Sequence, residues 1–585
     1  MPGSVNMSDP TWWQKTCVYQ IYLRSFQDGN RDGIGDLAGV LARLDYLAEL
    51  GVETLWLTPF FRSPQRDFGY DISDPYAVDP QYGSLAELQR LLSAAHARGM
   101  RVILDMVLNH TSDEHAWFVQ SRRSKDSPLR DYYLWRPGRR PGGAAPPNNW
   151  RSMIGPRGWH YDAATDEWYW ASFLPFQPDL NYRNPQVKAA MLELCRYWLR
   201  LGFDGLRLDI FSALFKDAAL RDNPFSPHLL PAEDNPDGFF QHNQYTIDQP
   251  DTLDFARELR AAVDEVAAQD GVPRFLVGEA FGPPAKLRRY CGPRADGLHL
   301  VFLFKTFRTR FAAPAFRALL REYEREFASP LLPTYVLGNH DRARYLERLG
   351  NDPQRAKLLA TLQLTARGVP FIYYGECVGM TNLDIPPAAA KDAFAASSRR
   401  VPGWLARLAR RHGLLLNRDE CRGPMQWDDS PNAGFTAPGV TPWLPLHPSY
   451  RQVNVAAAQA DPDSLWRCYQ RLLRLRKQTP ALHAGALLLW DEALLPPQVL
   501  GYRRSSPPPR AAAAAELTED AAGAGDCVDV LLNFSAEEQA VELPQQPTAV
   551  LFSTHREAAL GRRLRLRPYE GLIVRTGRAA PPISG

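Results

Sequence analysis

Residues able to move protons or attack a carbon gather where short apolar runs give way to loops. Asp105, Asn109 and His110 lie at the end of one run, and Arg207 and Asp209 close a second. Glu279 directly follows a third, Phe275–Gly278, and His340 and Asp341 follow a fourth, Thr334–Leu337. Residues two apart on a strand share a face, so Arg207 stands beside Asp209. A neighbouring cation favours an ionised carboxylate, the state a nucleophile requires. Glu279 ends an apolar run with no cation next to it in sequence, which suits a carboxyl kept protonated as a general acid. Two carboxyl groups held in opposite protonation states are what cleavage of a glycosidic bond needs. The alternative for Arg207 and Asp209 is a structural ion pair.

These groups share one site only if the fold gathers strand ends. Eight runs of strand character recur: Val18–Leu23, Thr54–Leu57, Arg101–Val107, Gly205–Asp209, Phe275–Gly278, Leu298–Phe302, Thr334–Leu337 and Phe371–Tyr374. Amphipathic stretches separate them, such as Leu37–Leu50, Leu85–Arg98, Pro185–Leu201 and Phe255–Ala268. Apolar strands alternating with helices indicate a parallel sheet covered by helices. The number of strands points to a closed α/β fold, a (β/α)8 TIM barrel, in which the C-terminal strand ends face one pocket. No phosphate-binding glycine cluster follows the first run, which disfavours an open doubly wound sheet.

The chain divides unevenly. Residues 1–110 form the first part of the barrel, and 111–179, rich in Pro, Gly, Trp and Asn, form a small domain inserted after strand 3. Residues 180–479 complete the barrel, with a second insertion at 380–451 and a closing helix at Ser464–Lys477. Residues 480–585 read as a C-terminal β-sandwich, interrupted by the alanine-rich tract Ala511–Gly525, a flexible surface loop.

With 585 residues, 45% of them apolar and 23% charged, the chain can bury a large core and is not disordered. Its 68 basic and 65 acidic residues are interspersed, for a net charge of +3, so neither nucleic acid nor an anionic membrane is an expected partner. No apolar run approaches the roughly 18 residues of a membrane span, and Met1–Trp12 lacks the pattern of a secretory signal. The seven scattered cysteines read as reduced thiols, hence a cytoplasmic protein. The 15 tryptophans and 23 tyrosines serve mainly the core, with stacking on a flat hydroxylated ligand a further use.

Asp28, Asn30, Asp32 and Asp36 stand at positions 1, 3, 5 and 9 of a calcium-type loop, with Gly33 at position 6 and the Ile34 carbonyl at 7. Position 12 is Gly39 instead of the usual bidentate Glu. Hard oxygen ligands around a structural Ca²⁺ or Mg²⁺ are expected here; a metal-free Asp/Gly turn is the alternative.

The motifs DMVLNH (Asp105–His110), QPDLN (Gln177–Asn181), GLRLD (Gly205–Asp209), GEAF (Gly278–Phe281), GNHD (Gly338–Asp341) and GVPFIYYGE (Gly368–Glu376) occur in this order. The sequence thereby resembles the α-amylase superfamily, glycoside hydrolase family thirteen, and within it the α-glucosidase and oligo-1,6-glucosidase group. The resemblance implies that Asp209 is the nucleophile, Glu279 the acid/base and Asp341 the carboxylate that stabilises the transition state. His110, Arg207 and His340 would line the sugar pocket. Asp67 and Tyr70 of DFGYD would close it, and Arg422, in Arg418–Trp427, would pair with Asp67 across its end and block longer chains. Relatives of this group hold Ca²⁺ or Mg²⁺ in the loop at 28–36, and no organic cofactor is implied.

The sequence departs from the pattern at three positions. Gly423 replaces a Thr, which would loosen the loop carrying Arg422. Ile154 stands where many relatives place an aromatic wall. Ile210 follows the nucleophile and is nearer in shape to the Val of 1,6-cleaving members, whereas the loop Lys216–Pro227 resembles that of 1,4-acting enzymes. The expected activity is exo-acting release of glucose from small α-glucosides such as maltose, isomaltose and short malto-oligosaccharides, with 1,4 linkages favoured. The alternatives are an oligo-1,6-glucosidase, a glucosyl-transferring isomerase making trehalose or isomaltulose, and a carbohydrate-binding relative without catalysis.

Overall fold

A computed structural model describes residues 9–140, 143–229, 231–232, 234–411, 414–506, 526–555 and 560–576. Eight parallel strands form the central sheet: β1 (Val18–Ile21), β2 (Thr54–Leu57), β3 (Arg101–Val107), β4 (Gly205–Asp209), β5 (Phe275–Gly278), β6 (Leu300–Val301), β7 (Thr334–Val336) and β8 (Val369–Tyr373). Their order runs from β6 through β5, β4, β3, β2 and β1 to β8 and β7, so sequence neighbours pair everywhere except between β6 and β7, and β1 meets β8. At the remaining seam a side chain completes the barrel. Thr334 Oγ1 donates to the Val301 carbonyl and accepts from Leu303 N–H, both at 2.9 Å.

The barrel's lower interior is a packed apolar plug that includes Trp12, Val18, Trp56, Ile103, Phe275, Phe302 and Phe371. Trp56 stacks on Phe302 at 5.5 Å, and Phe302 meets Phe371 edge-on at 4.9 Å. Side chains of this size each stabilise by about 1.5–3 kcal/mol on burial, so the polar strand ends above rest on a rigid floor. Burial also sets the strand lengths. The third strand is buried at all seven positions, as its unbroken apolar run predicts, whereas β6 shrinks to Leu300–Val301 because the chain turns early into the Phe304–Phe307 turn.

Helices follow the apolar spacing, and their ends follow local chemistry. Leu85–Ala97 starts with a capping box, Ser84 and Glu87 each bonding the other's backbone N–H. The stretch 37–50 breaks at Arg43 into Leu37–Ala42 and Leu44–Leu50. The helix expected at Phe255–Ala268 runs longer, Pro250–Asp270, because Pro250 is suited to its first turn.

The segment after β3 carries a three-stranded antiparallel sheet, Trp135–Arg136, Glu167–Trp170 and Trp159–Asp162, packed around Trp150, Trp159 and Trp170. Residues 380–451 form turns, short 3-10 helices and one α-helix, Gly403–Arg411, with no strand among the described residues. Leu465–Gln478 lies where the closing helix is expected. The C-terminal domain is a five-stranded antiparallel sheet, β9 (Ala486–Leu489), β10 (Val499–Ser505), β11 (Cys527–Asn533), β12 (Ala549–Ser553) and β13 (Gly571–Arg575), with a separate strand pair, Gln539–Glu542 and Arg563–Leu566. The alanine-rich tract lies outside the described residues. Cys17, Cys195, Cys291, Cys377, Cys421 and Cys468 are buried thiols without disulfides. No helix among the described residues is long and apolar enough to cross a membrane.

Candidate active site

The C-terminal strand ends open into a cavity of about 340 Å³ whose lining includes Asp67, Tyr70, His110, Asp209, Glu279, His340 and Asp341. Asp209, Glu279 and Asp341 therefore face one space. Two backbone bonds fix the first two together: Glu279 N–H donates to Leu208 O at 2.9 Å, and Phe211 N–H donates to Glu279 O at 2.8 Å. Between them Ile210 adopts a left-handed conformation, φ 37° and ψ 47°. A β-branched residue there stores strain of about 1–3 kcal/mol, and the turn lifts Asp209 to the cavity wall.

Arg207 is buried beneath the carboxylates. It donates through Nη1 to Asp105 Oδ1 at 2.6 Å and to Asp209 Oδ1 at 2.8 Å, and through Nη2 to Glu279 Oε2. Arg207 does not line the cavity; it organises the groups that do. Burial pushes the Glu279 carboxyl up to about 8; Arg207 opposes that shift, and the negative charges of Asp209 and Asp341 reinforce it. Burial also works against a charge on Asp341, but the guanidiniums of Arg418 and Arg422 outweigh it and hold this carboxyl well below the usual range. The Glu279 side chain is 9% exposed, that of Asp209 15% and that of Asp341 29%, so all three are accessible only from the cavity.

A hydrogen-bond chain orders the floor. Gln20 Nε2 lies 2.7 Å from His340 Nδ1, His340 Nε2 lies 2.7 Å from the Tyr70 hydroxyl, and that hydroxyl donates to Asp105 Oδ2 at 3.0 Å. Trp56 Nε1 also donates to Asp105 Oδ2. Burial pushes His340 down to about 3, so the ring is neutral. With Gln20 donating to Nδ1, the ring proton sits on Nε2 and points to Tyr70. Burial also lowers the pKa of His110, against the opposing charges of Asp209, Asp179 and Asp67. Its Nδ1 accepts from Asn109 Nδ2 at 3.3 Å, and its buried Nε2 has no partner among the described residues. A buried N–H without a partner is costly and suits a donor reserved for a ligand hydroxyl.

The far end is closed by an arginine other than the expected one. Asp67 Oδ1 accepts from Arg418 Nη2 at 2.6 Å, and Asp67 Oδ2 accepts from Gln177 Nε2 at 2.9 Å. Arg418 also donates to Asp392 and, through Nη1, to Asp341 Oδ1 at 3.0 Å, and stacks 3.5 Å above the Phe394 ring. Arg422 lies underneath, fully buried, donating to the His340 carbonyl at 2.7 Å and to Asp341 Oδ1 at 2.8 Å; it does not line the cavity. The Asp67–Arg422 pair is therefore corrected to Asp67–Arg418. Nor does Gly423 loosen this segment. An added Cβ there would meet Leu383 Cδ1 at 3.0 Å, and Ser25 Oγ donates to the Arg422 carbonyl at 2.5 Å.

Gln20, Asp392, Gln177 and Arg418 were not singled out by residue type. Gln177 lies inside QPDLN and Arg418 inside the Arg418–Trp427 motif, whereas Gln20 and Asp392 carry no signal in the sequence. Ile154 lines the cavity with Met153, and the aromatic walls are Phe173, Phe239, Phe281, Phe304 and Phe394, with no tryptophan among the described residues.

The loop at 28–36 lies apart from the cavity lining. Asp28 accepts from Arg31 and Gly33 N–H and from the Thr436 hydroxyl. Asp36 accepts from Gly29, Asn30 and Gly39 N–H, capping the helix Leu37–Ala42, and Asp32 accepts from Ile34 N–H and Asn30 Nδ2. With the Ile34 carbonyl, this all-oxygen donor set fits a hard cation in kind, although its oxygens already serve amide hydrogens. Among the described residues no three His, Cys, Asp or Glu side chains converge as a metal site.

A family model for the α-amylase catalytic domain matches residues 20–485. The chain belongs to the α-amylase family of glycoside hydrolases. Among α-amylase-family relatives, an oligo-1,6-glucosidase of Parageobacillus thermoglucosidasius is 35% identical, covering 96% of this chain and 98% of that protein. An α-glucosidase of Pediococcus pentosaceus is 38% identical over 82% of this chain and 87% of its own. The crystal structure of an α-glucosyl transfer enzyme, 35% identical, superposes with a TM-score of 0.83 over 97% of this chain and 99% of its own. This α-amylase-family chain is a glycosidase.

Proposed function

We propose that the protein is an exo-acting, retaining α-glucosidase that releases glucose from the non-reducing end of small α-glucosides. The observation that carries this reading is a cavity with three carboxyl groups on its wall and an Asp67–Arg418 pair closing its end. A closed end admits one terminal sugar, and a paired carboxylate and guanidinium offer its outer hydroxyls both an acceptor and a donor.

In the first step Asp209 attacks the anomeric carbon while Glu279, protonated below about pH 8, gives its proton to the departing oxygen. The C–O bond breaks and a glucosyl ester forms on Asp209. Water then attacks that carbon, passing a proton to Glu279, and the ester bond breaks to release α-glucose. Asp341, kept ionised by Arg418 and Arg422, bonds sugar hydroxyls more strongly as the ring becomes oxocarbenium-like, which is differential stabilisation. Arg207 positions Asp209 and Glu279 from below. Asp209→Ala is expected to lose several orders of magnitude in rate on maltose and on a nitrophenyl α-glucoside; near-wild-type rates would refute the assignment.

The small α-glucosides acted on are of the maltose type, with 1,4 linkages favoured over 1,6. Ile210 beside the nucleophile argues for 1,6 and the 216–227 loop for 1,4, so glucose release from maltose and isomaltose side by side decides between them. A second reading, glucosyl transfer, is supported by the likeness to the α-glucosyl transfer enzyme and by apolar walls such as Phe173, Phe281 and Ile210, which disfavour water. The loop at 28–36 would hold a structural Ca²⁺ or Mg²⁺ through Asp28, Asn30, Asp32, Asp36 and the Ile34 carbonyl. A cytoplasmic setting accords with the unpaired buried thiols.

A further inference from the structure

Lys216, in the loop after β4, carries a buried ammonium that the reaction described above does not use. It pairs with Asp179, itself fully buried, and donates to Asn109 Oδ1 at 3.0 Å. The Asp179 carboxylate also accepts from the Ser172 N–H at 2.7 Å and from the Ser172 hydroxyl at 2.5 Å. These residues meet where the inserted domain leaves and rejoins the barrel. There Leu180 N–H donates to the Asn109 carbonyl at 2.9 Å, and Thr111 N–H to the Pro178 carbonyl at 3.2 Å.

The donors and acceptors then follow in a fixed order. An ammonium has three N–H donors and no acceptor, so the Asn109 atom facing Lys216 is the oxygen. That turns Asn109 Nδ2 toward His110 Nδ1, 3.3 Å away. An amide nitrogen only donates; His110 Nδ1 therefore bears the lone pair, and the single proton of the neutral ring lies on Nε2. Nε2 is the buried atom that has no partner among the described residues, on a ring that lines the catalytic cavity. We propose that Lys216 is a positioning residue: through Asn109 it fixes the His110 proton on Nε2, where the ring donates it to a substrate hydroxyl. The donation rests on the glucosidase reading above; the place of the proton does not. Without the ammonium the Asn109 amide is free to turn over. Its Oδ1 would then draw the proton to Nδ1 and leave an acceptor facing the sugar.

The test reads the ring directly, by nitrogen NMR of the full chain carrying isotope-labelled histidine, with the His110 signals identified by their loss in His110→Ala. The wild type is expected to show a bare Nδ1 and a protonated Nε2, and Lys216→Met an added Nδ1-protonated form. Because Lys216→Met leaves Asp179 buried without its cation, Asn109→Asp serves as a second variant of unchanged size. Its carboxylate only accepts, so His110 Nδ1 should gain a proton. Kinetics on a nitrophenyl α-glucoside separate this role from a merely structural one. Lys216→Met lowers kcat/KM about tenfold, the worth of one hydrogen bond, but by less than about twofold when residue 110 is already alanine. A wild-type ring protonated on Nδ1, an Nδ1 still bare in Asn109→Asp, or equal losses of kcat/KM in both backgrounds would overturn the proposal. Wild-type protein that leaves the glucoside intact would refute the glucosidase reading, while the spectra still decide where the proton lies.

Discussion

Arg418 donates through Nη2 to Asp67 Oδ1 at 2.6 Å, joining residues 351 positions apart at the closed end of the catalytic cavity. The same guanidinium reaches Asp341 and Asp392, so one side chain ties the wall that would hold the outer sugar hydroxyls to a carboxylate beside the reacting carbon.

Arg418→Lys keeps the charge but loses the planar fork. The expected result is a fall of about 100-fold in kcat/KM for maltose, or about 2.7 kcal/mol, with the thermal midpoint little changed. Arg418→Ala would instead leave Asp67 and Asp392 buried and uncompensated, costing about 3–5 kcal/mol of stability. Kinetics and calorimetry on both variants check this; unchanged kinetics in Arg418→Lys would make the arginine purely structural.

The Glu279 carboxyl is pushed up to about 8, and the proposed first step needs it protonated. The pH profile of kcat/KM should therefore fall tenfold per unit above about 8. Glu279→Gln should remove that limb together with about 10²–10⁴ of the rate, with the smaller loss on aryl glucosides, whose leaving groups need less protonation. The linked effect on stability has a definite sign. The unfolded chain releases this proton near 4.5 and the fold holds it to about 8. The contribution is full below pH 4.5 and is lost as pH rises toward 8.

Gln20 touches no ligand-facing space but sets the proton of His340. Gln20→Leu, of similar size, removes the N–H that holds Nδ1 as the acceptor. The expected loss is about tenfold in kcat, one hydrogen bond's worth, with an altered acid limb in the pH profile as His340 becomes free to protonate. A change in stability alone, with an unaltered pH profile, would reduce Gln20 to a packing residue.

Arg317, on the helix Ala313–Glu326, donates to the Trp490 and Val499 carbonyls of the C-terminal domain at 2.9 and 3.2 Å. Arg317→Met should strand both carbonyls, costing about 2–4 kcal/mol. The readout is earlier loss of the C-terminal domain in denaturant, followed by proteolysis, with catalytic constants unchanged in the folded protein.

The proposed cation in the 28–36 loop predicts one equivalent of Ca²⁺ or Mg²⁺ after exhaustive dialysis, and a lowered thermal midpoint on chelation that Asp28→Asn abolishes. Metal at background level would reduce the loop to a set of Asp-capped turns.

The barrel was legible because eight apolar runs alternate with amphipathic stretches, and strand-end chemistry follows from that topology: Asp209, Glu279 and Asp341 needed only their places at strand ends. The closing arginine was not. Arg418 and Arg422 flank one short turn, Arg418–Cys421, and a motif cannot tell which of two like residues four apart projects into the cavity. Packing decides it: Arg422 is drawn under Tyr22 and the His340 carbonyl. Gln20 was illegible for a similar reason, since a buried amide on a strand gains meaning only from a partner 320 residues away. The tryptophans, expected to offer some sugar-stacking surface, are spent on cores such as Trp150–Trp159–Trp170.

The most direct measurement follows the anomer released in the first turnovers of a nitrophenyl α-glucoside by proton NMR, before mutarotation mixes the forms. Attack by Asp209 on the face opposite the leaving group, followed by water from the face the leaving group vacated, predicts α-glucose first, with β-glucose growing in only at the spontaneous rate. β-Glucose appearing first would mean a single displacement, and would contradict Asp209 as a nucleophile working with Glu279 and Asp341 around one sugar.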